Sequence, residues 1–348
     1  MQLSIFDYDL PTELIAQEAT ADRTAARLIQ LDRRTGKRGH HHVADLPGLL
    51  ARGDLLIVNN TRVFPARLRG HRVPSGGAVE CLLLGRIDGD RWDALVHPGQ
   101  KLKVGTRAMF EGNECALSLE VLTHHFHGRR TVCLTVDPDQ DIDHVIDTIG
   151  DVPLPPYIRR AARPDDRERY QTVYAKVRGS VAAPTAGLHL TAGLLDQLAA
   201  GGIECREITL HVGYGTFQPV RDVEIESHRV AEEQFAIPEA TARAVNQAVE
   251  EGRRVVAVGT TTTRALETAS RQGGGRLLPG VGVTDLYIYP GFDFRVVGGL
   301  LTNLHLPRSS LLLLVCAFAG REVVLEAYAE AVQGHYRFYS YGDAMLIL

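Results

Sequence analysis

The spacing of apolar positions changes character twice along the chain. Up to about residue 61 the apolar residues fall in short runs. Residues 28–31 read as a strand, Arg34-Thr35-Gly36-Lys37 as a hairpin turn, and residues 54–58 as a buried strand ending at Asn59-Asn60-Thr61. From 62 to 138 the runs 78–84, 92–96, 108–110, 117–122 and 131–136 alternate with Gly, Asp, Asn and Pro. Short, evenly spaced strands without helical periodicity predict a small antiparallel barrel or sandwich. Beyond about 140 strands and helices alternate, as in an α/β body. A helix over 192–200 stops at Gly201-Gly202, a strand follows over 203–212, and a strand over 254–258 leads to a helix from about Thr263 to Arg271. A further strand is expected over 286–289. Ser309 or Ser310 caps a helix ending at Gly320, and the next helix runs over 321–333. The fold class is therefore α/β: a discontinuous main domain of residues 1–61 plus 139–348, interrupted by an inserted antiparallel β-barrel domain of residues 62–138.

Composition narrows the function classes. The 348 residues carry 38 basic and 42 acidic side chains, a net charge of −4, so a nucleic-acid partner must be met by a local basic face. Five scattered cysteines with no CxxC point to a reducing cytoplasm rather than a disulfide scaffold. The acidic start (Asp7, Asp9, Glu13, Glu18) argues against a secretory leader, and the longest apolar run, 311–319, is half a membrane span.

Five stretches carry candidate chemistry. In Val258-Gly259-Thr260-Thr261-Thr262-Thr263-Arg264 a strand runs into hydroxyls and a helix start, offering backbone N–H groups to an anion with Arg264 as a carboxylate or phosphate clamp. An ordinary Thr-capped turn fits the same residues. In the stretch 180–189, small residues around Pro184, including Gly187, allow close approach of a ligand to which Thr185 and His189 present polar groups; a tight turn with a backbone-satisfied histidine is the alternative. His211 closes a strand before Gly213, Gly215 and Thr216, where α/β sheets place ligands, although a core histidine beside a bulge fits too. His305 and Arg308 precede a very apolar helix; Pro307 with Ser caps explains that stretch equally well. Finally, seven basic residues and three tyrosines share 22 positions, among them Arg159, Arg160, Tyr170, Tyr174 and Arg178. They suit phosphate and base contacts, or a solvated charged face diluted by Asp165, Asp166 and Glu168. His40-His41-His42 and the tract His124-His125-Phe126-His127 resemble metal ligands, but neighbours on a strand point to opposite faces and no zinc-like spacing accompanies them, so no metal is expected.

The wording of these stretches resembles the S-adenosylmethionine:tRNA ribosyltransferase-isomerase family of queuosine biosynthesis. The likeness runs through Phe6-Asp7-Tyr8-Asp9-Leu10-Pro11, residues 53–62, Leu154-Pro155-Pro156-Tyr157-Ile158, Tyr170-Gln171-Thr172-Val173-Tyr174, residues 181–189 and 209–220, Tyr289-Pro290-Gly291-Phe292, residues 302–307, and 336–345. It is nearly end to end and weakest in the inserted module. Gly298-Gly299 and residues 228–233 depart from the family pattern, so no role is carried to them.

The resemblance implies transfer and isomerisation of the ribosyl group of S-adenosylmethionine onto 7-aminomethyl-7-deazaguanine (preQ1) at the tRNA wobble position, giving epoxyqueuosine-tRNA, adenine and methionine. S-adenosylmethionine is then a co-substrate, with no prosthetic group, and the enzyme is expected to act as a cytoplasmic monomer. Such chemistry needs a base beside the sulfonium and an acid for departing adenine, for which His189 and His211 rank first and His305 third. Thr185, Gly187, Gly213, Gly215, Thr216, Gly259, Thr260, Thr261 and Arg264 are the expected substrate contacts. Arg159, Arg160, Tyr170, Tyr174 and Arg178 are expected to meet the anticodon stem-loop. A non-catalytic tRNA-binding protein on the same fold is one rival. A methyltransferase is the other, and no strand-then-GxGxG segment opens the α/β region.

Overall fold

The computed structural model describes residues 1–125, 128–217 and 220–348, without the side chains of Thr216 and Phe217. His127 of the second histidine tract and the expected Thr216 contact fall outside the described groups.

In chain order the elements begin with β1 (Arg27–Leu31), β2 (Arg38–His42), α1 (Leu46–Leu49), β3 (Leu55–Asn59) and β4 (Thr61–Val63). Six strands follow: β5 (Arg67–Val73), β6 (Ala78–Asp88), β7 (Arg91–His97), β8 (Arg107–Gly112), β9 (Cys115–His124) and β10 (Arg129–Thr135). Next come α2 (Ile142–Ile149), α3 (Asp166–Arg169), β11 (Val177–Ser180), α4 (Ala192–Ala200), β12 (Glu204–Leu210), β13 (Glu233–Ile237) and α5 (Glu239–Glu250). The chain closes with β14 (Val255–Val258), α6 (Thr260–Gln272), β15 (Gly280–Thr284), β16 (Gly299–Asn303), α7 (Ser310–Ala319), α8 (Arg321–Gln333) and β17 (Ala344–Ile347).

Nine strands form one sheet in the order β15-β13-β12-β3-β14-β16-β17-β1-β2. The centre, β12-β3-β14-β16, is parallel. Every residue of β3, β14 and β16 is buried, as expected of strands covered on both faces. Alternation sorts their side chains: Leu55 and Ile57 join the core beneath α5–α8, while Leu56 and Val58 join the core with Leu46 of α1 and Leu194 of α4. Ser309 caps α7, accepting from Leu312 N at 3.2 Å, and that helix is buried almost all round.

The six strands β5–β10 close a separate antiparallel barrel, in the order β10-β7-β6-β5-β8-β9. Its core takes in Ile142, Val145 and Ile146 of α2, past residue 138, where the sequence pattern placed the end of the module. The short parallel pair β4–β11 and the Arg67–Asp151 bridge tie the two ends of this excursion together.

Two expected elements differ. The strand expected over 286–289 is not one; the strand lies over Gly280–Thr284, and Leu286, Tyr287 and Tyr289 pack on the core with the Leu286 carbonyl taken by Arg264 Nε at 2.8 Å. The helix expected from Thr263 begins at Thr260. Thr262 and Thr263 hydroxyls donate back to Val258 O (2.7 Å) and Gly259 O (3.2 Å), which accommodates β-branched residues in the first turn.

Candidate active site

The C-terminal ends of the four parallel strands lie on one sheet edge, where open α/β sheets bind ligands. They deliver Asn59-Asn60-Thr61, His211-Val212, Gly259-Thr260-Thr261 and Asn303-Leu304-His305. Gly259 turns from β14 into α6 at φ +91°, a conformation that side chains resist. The N–H groups of the first helical turn thereby face the edge without intrahelical acceptors.

Two cavities adjoin there, sharing Thr260, Thr261 and Leu311. One, of about 470 Å³ of open space, is bordered by Thr185, Thr302, Asn303, His305 and Tyr339. The other, of about 480 Å³, is bordered by Gly215, Glu233, Arg264, Tyr287 and Ile288. Among the described residues, three buried polar atoms of the residues bordering these cavities have no hydrogen-bond partner: His305 Nδ1, Thr261 Oγ1 and the Tyr287 hydroxyl. Buried polar groups are nearly always paired, so this concentration marks where a ligand's polar atoms belong.

His305 is held from three directions. Its Nε2 lies 2.8 Å from Thr302 Oγ1, its backbone N–H donates to the Tyr328 hydroxyl at 3.0 Å, and its carbonyl accepts from the Tyr8 hydroxyl. Burial pushes its pKa down to about 3. Nε2 is engaged with Thr302, and Nδ1 is the ring nitrogen without a partner among the described residues.

His189 stands behind that wall. Its Nε2 accepts from Asn303 Nδ2 at 3.0 Å, and Asn303 Oδ1 accepts from Thr185 Oγ1 at 3.0 Å. The bond from Asn303 fixes the proton on Nδ1. Burial pushes His189 down to about 4, against an upward pull from Asp343. Its ring borders a third cleft, with Arg23, Arg169 and Ser340, rather than the first two. His211 borders none of the three. Its Nδ1 lies 2.8 Å from Thr61 Oγ1, its ring covers Gly179, and burial lowers its pKa. The structure thus gathers Thr185, Gly259, Thr260, Thr261 and His305 at one cavity, with Gly215 and Arg264 at its neighbour, and leaves His189 and His211 at their margins.

Other expected contacts are already engaged within the protein. Arg264 clamps a carboxylate, but an internal one: it forms a buried ion pair with Glu233, which also accepts from Gly213 N at 2.9 Å. Gly187 makes room for a neighbour, since a Cβ there would lie 2.1 Å from the Tyr174 hydroxyl. Tyr170 and Tyr174 are core residues and cannot stack on bases from where they sit. Arg160 grips Asp166 through two bonds of 2.7 and 2.8 Å, and Arg178 pairs with Asp143 and Asp147 and lies over the Phe64 ring. Only Arg159 of those three arginines is both exposed and without a carboxylate within ion-pair distance. The alternation of Tyr and Arg reflects apolar rings turned inward with guanidiniums pairing around them. Among the described residues no three His, Cys, Asp or Glu side chains converge as a metal site would require.

Sequence reasoning missed Thr302, Asn303, Glu233 and Tyr287 as individual site residues. Thr302 and Asn303 carried a signal, two polar residues closing an otherwise apolar strand. Glu233 and Tyr287 acquire meaning only from partners distant in the chain.

The two buried rings make stability pH-dependent. Both pKa values are depressed below the usual histidine value of about 6.5, so the unfolded chain binds more protons below that pH. Stability present above about pH 6.5 is therefore lost as pH falls, by up to about 1.4 kcal/mol per unit for each ring. Urea midpoints measured from pH 7 to 4.5 should fall steeply, and His189→Gln with His305→Gln should flatten the dependence. An unchanged slope in the double variant would place the acid sensitivity elsewhere.

Comparison with known proteins places these features. The sequence profile described as "Queuosine biosynthesis protein" matches residues 3–347. Relatives named S-adenosylmethionine:tRNA ribosyltransferase-isomerase are 50% identical in Heliobacterium modesticaldum and 47% in Caldanaerobacter subterraneus, each over all of both chains. The crystal structure of S-adenosylmethionine tRNA ribosyltransferase from Thermotoga maritima is 38% identical, covers 99% of this chain and 100% of its own, and superposes with a TM-score of 0.56.

Proposed function

The chain belongs to the queuosine biosynthesis protein family, and from that membership we propose that the two joined cavities over the start of α6 hold S-adenosylmethionine during ribosyl transfer to tRNA. The protein is an S-adenosylmethionine:tRNA ribosyltransferase-isomerase. It transfers and isomerises the ribosyl moiety onto preQ1 at the wobble position, releasing adenine and methionine. S-adenosylmethionine is consumed as co-substrate, and the enzyme works as a cytoplasmic monomer without a prosthetic group. The barrel of residues 62–138 is a separate unit set into the body of 1–61 and 139–348.

The observation that carries the site is that, among the described residues, three residues bordering the two adjoining cavities hold buried polar atoms without a partner: His305 Nδ1 at the first, the Tyr287 hydroxyl at the second and Thr261 Oγ1 at both. A C–H beside a sulfonium is already acidified, and on this reading its proton goes to His305 Nδ1 in the tautomer that leaves it unprotonated, a base that burial makes weaker than a free imidazole. Tyr287, kept protonated by burial, has no acceptor and offers O–H to a purine nitrogen. Thr260 and Thr261, with the free N–H groups of the first turn, bind hydroxyl or carboxylate oxygens. His189 acts through Asn303 by fixing Thr185, and His211 through Thr61 at the outer margin.

The test is release of adenine and methionine from S-adenosylmethionine. Equal amounts of both, dependent on preQ1-modified tRNA, are expected. Release indifferent to the modified base, or S-adenosylhomocysteine among the products, would overturn the reading.

A further inference from the structure

The third cleft is bordered by Thr20, Arg23, Arg169, His189 and Ser340, and Ser340 also borders the first cavity. Two of its guanidiniums are held by carbonyls alone. Arg23 donates to Gln171 O (2.8 Å), Leu188 O (3.1 Å) and Glu168 O (3.2 Å). Arg169 donates to Ala21 O (3.3 Å) and Thr20 O. Neither has a carboxylate within ion-pair distance, whereas Arg160, Arg163 and Arg178 nearby in sequence all do. Each guanidinium has five N–H donors, so about half of those on this pair remain for a ligand. Like charges are set side by side: burial first, then Arg169, lowers the pKa of Arg23. Arg337, which donates to Glu18 O, acts with Arg23 on His189, against the opposing pull of Asp343.

Fixed, half-buried arginines without a direct ion-pair partner form an anion receptor, with Glu168 as the nearby carboxylate acting on Arg23, and planar forks match the paired non-bridging oxygens of a phosphate. We propose that Arg23 and Arg169 bind one backbone phosphodiester of the tRNA strand whose base enters the joined cavities. This rests on the reading of the protein as acting on tRNA. Ser340 borders both this cleft and the first cavity, so a strand whose base enters the cavity can leave its phosphate in the cleft.

The test uses the full chain and a preQ1-containing anticodon stem-loop, with wild-type adenine release checked first so that failure of the parent reading is recognised separately. Arg23→Gln/Arg169→Gln should weaken stem-loop binding about tenfold or more. The slope of log affinity against log salt should shrink by about 1, with the KM for S-adenosylmethionine unchanged at saturating RNA. Arg276→Gln, at a remote surface pair with Glu250, should bind like wild type. Because the double variant also loosens residues 20–23, stem-loops with single methylphosphonate linkages provide a second reading on intact protein. One neutralised linkage should weaken wild type about tenfold and have little further effect on Arg169→Gln. Unchanged affinity and slope in the folded double variant, absence of any coupled linkage, or a raised KM for S-adenosylmethionine with normal RNA binding would each overturn the assignment.

Discussion

Replacing His305 by Ala is expected to lower the turnover of adenine release by about 10²–10⁴-fold, the usual contribution of a positioned general base. The loss should fall on kcat, because Thr260, Thr261 and the first turn of α6, proposed above to hold the substrate, are untouched. Removing a buried ring whose Nε2 bonds Thr302 also costs some stability, so turnover must be expressed per folded enzyme. His211→Ala is the informative comparison. Its ring lies against Thr61 and Gly179, outside the cavities, and its loss should leave the chemical step within about tenfold of wild type. The reverse order, a catalytic collapse at His211 with His305 dispensable, would move the reacting atoms to the margin of β12.

The largest effect on stability is expected at Glu267, on the helix that begins at the active site. Its fully buried carboxylate accepts from the N–H groups of Arg295, Val296 and Val297 at 3.0 to 3.2 Å, and from Arg271 at 2.8 Å. One side chain thus satisfies three backbone donors of the segment leading from Tyr287 and Ile288 to β16. Glu267→Gln sets an amide donor against those donors and leaves Arg271 unpaired. A loss of about 3–5 kcal/mol is expected, as for breaking a buried ion pair. Urea denaturation of the folded variant should display it, together with weaker S-adenosylmethionine binding as the second cavity loses its wall. A loss below about 1 kcal/mol would mean that water replaces the carboxylate.

The parts of this fold legible in the sequence are those set by local rules. Residues 54–58 read as a buried strand because an apolar run needs cover on both faces, and Ser309 or Ser310 as a cap because a hydroxyl there reaches the first turn; the strand is Leu55–Asn59 and the cap is Ser309, bonded to Leu312 N. The run over 286–289 misled because an apolar cavity wall and a strand share one composition; the difference lies in Arg264, more than a helical turn away in sequence, taking the Leu286 carbonyl. Arg264 itself read as a ligand clamp since nothing nearby in sequence announces Glu233, 31 positions earlier. Tyr170 and Tyr174 read as stacking platforms among arginines, yet their rings face inward while the arginines pair around them. The three histidines were visible one by one, but their ranking required knowing which ring nitrogen each has free. Each ring has one nitrogen engaged, His189 Nε2 by Asn303, His211 Nδ1 by Thr61 and His305 Nε2 by Thr302; of the three, His305 is the one that borders the two adjoining cavities.

The most direct measurement is a crystal structure of the protein with S-adenosylmethionine bound. The expected result is density spanning the two joined cavities across Thr260 and Thr261, with His305 Nδ1 and the Tyr287 hydroxyl within hydrogen-bond reach of ligand atoms or of the carbon beside the sulfonium. Density in the cleft of Arg23, Arg169 and His189, or against His211 and Thr61, with the joined cavities empty, would contradict it.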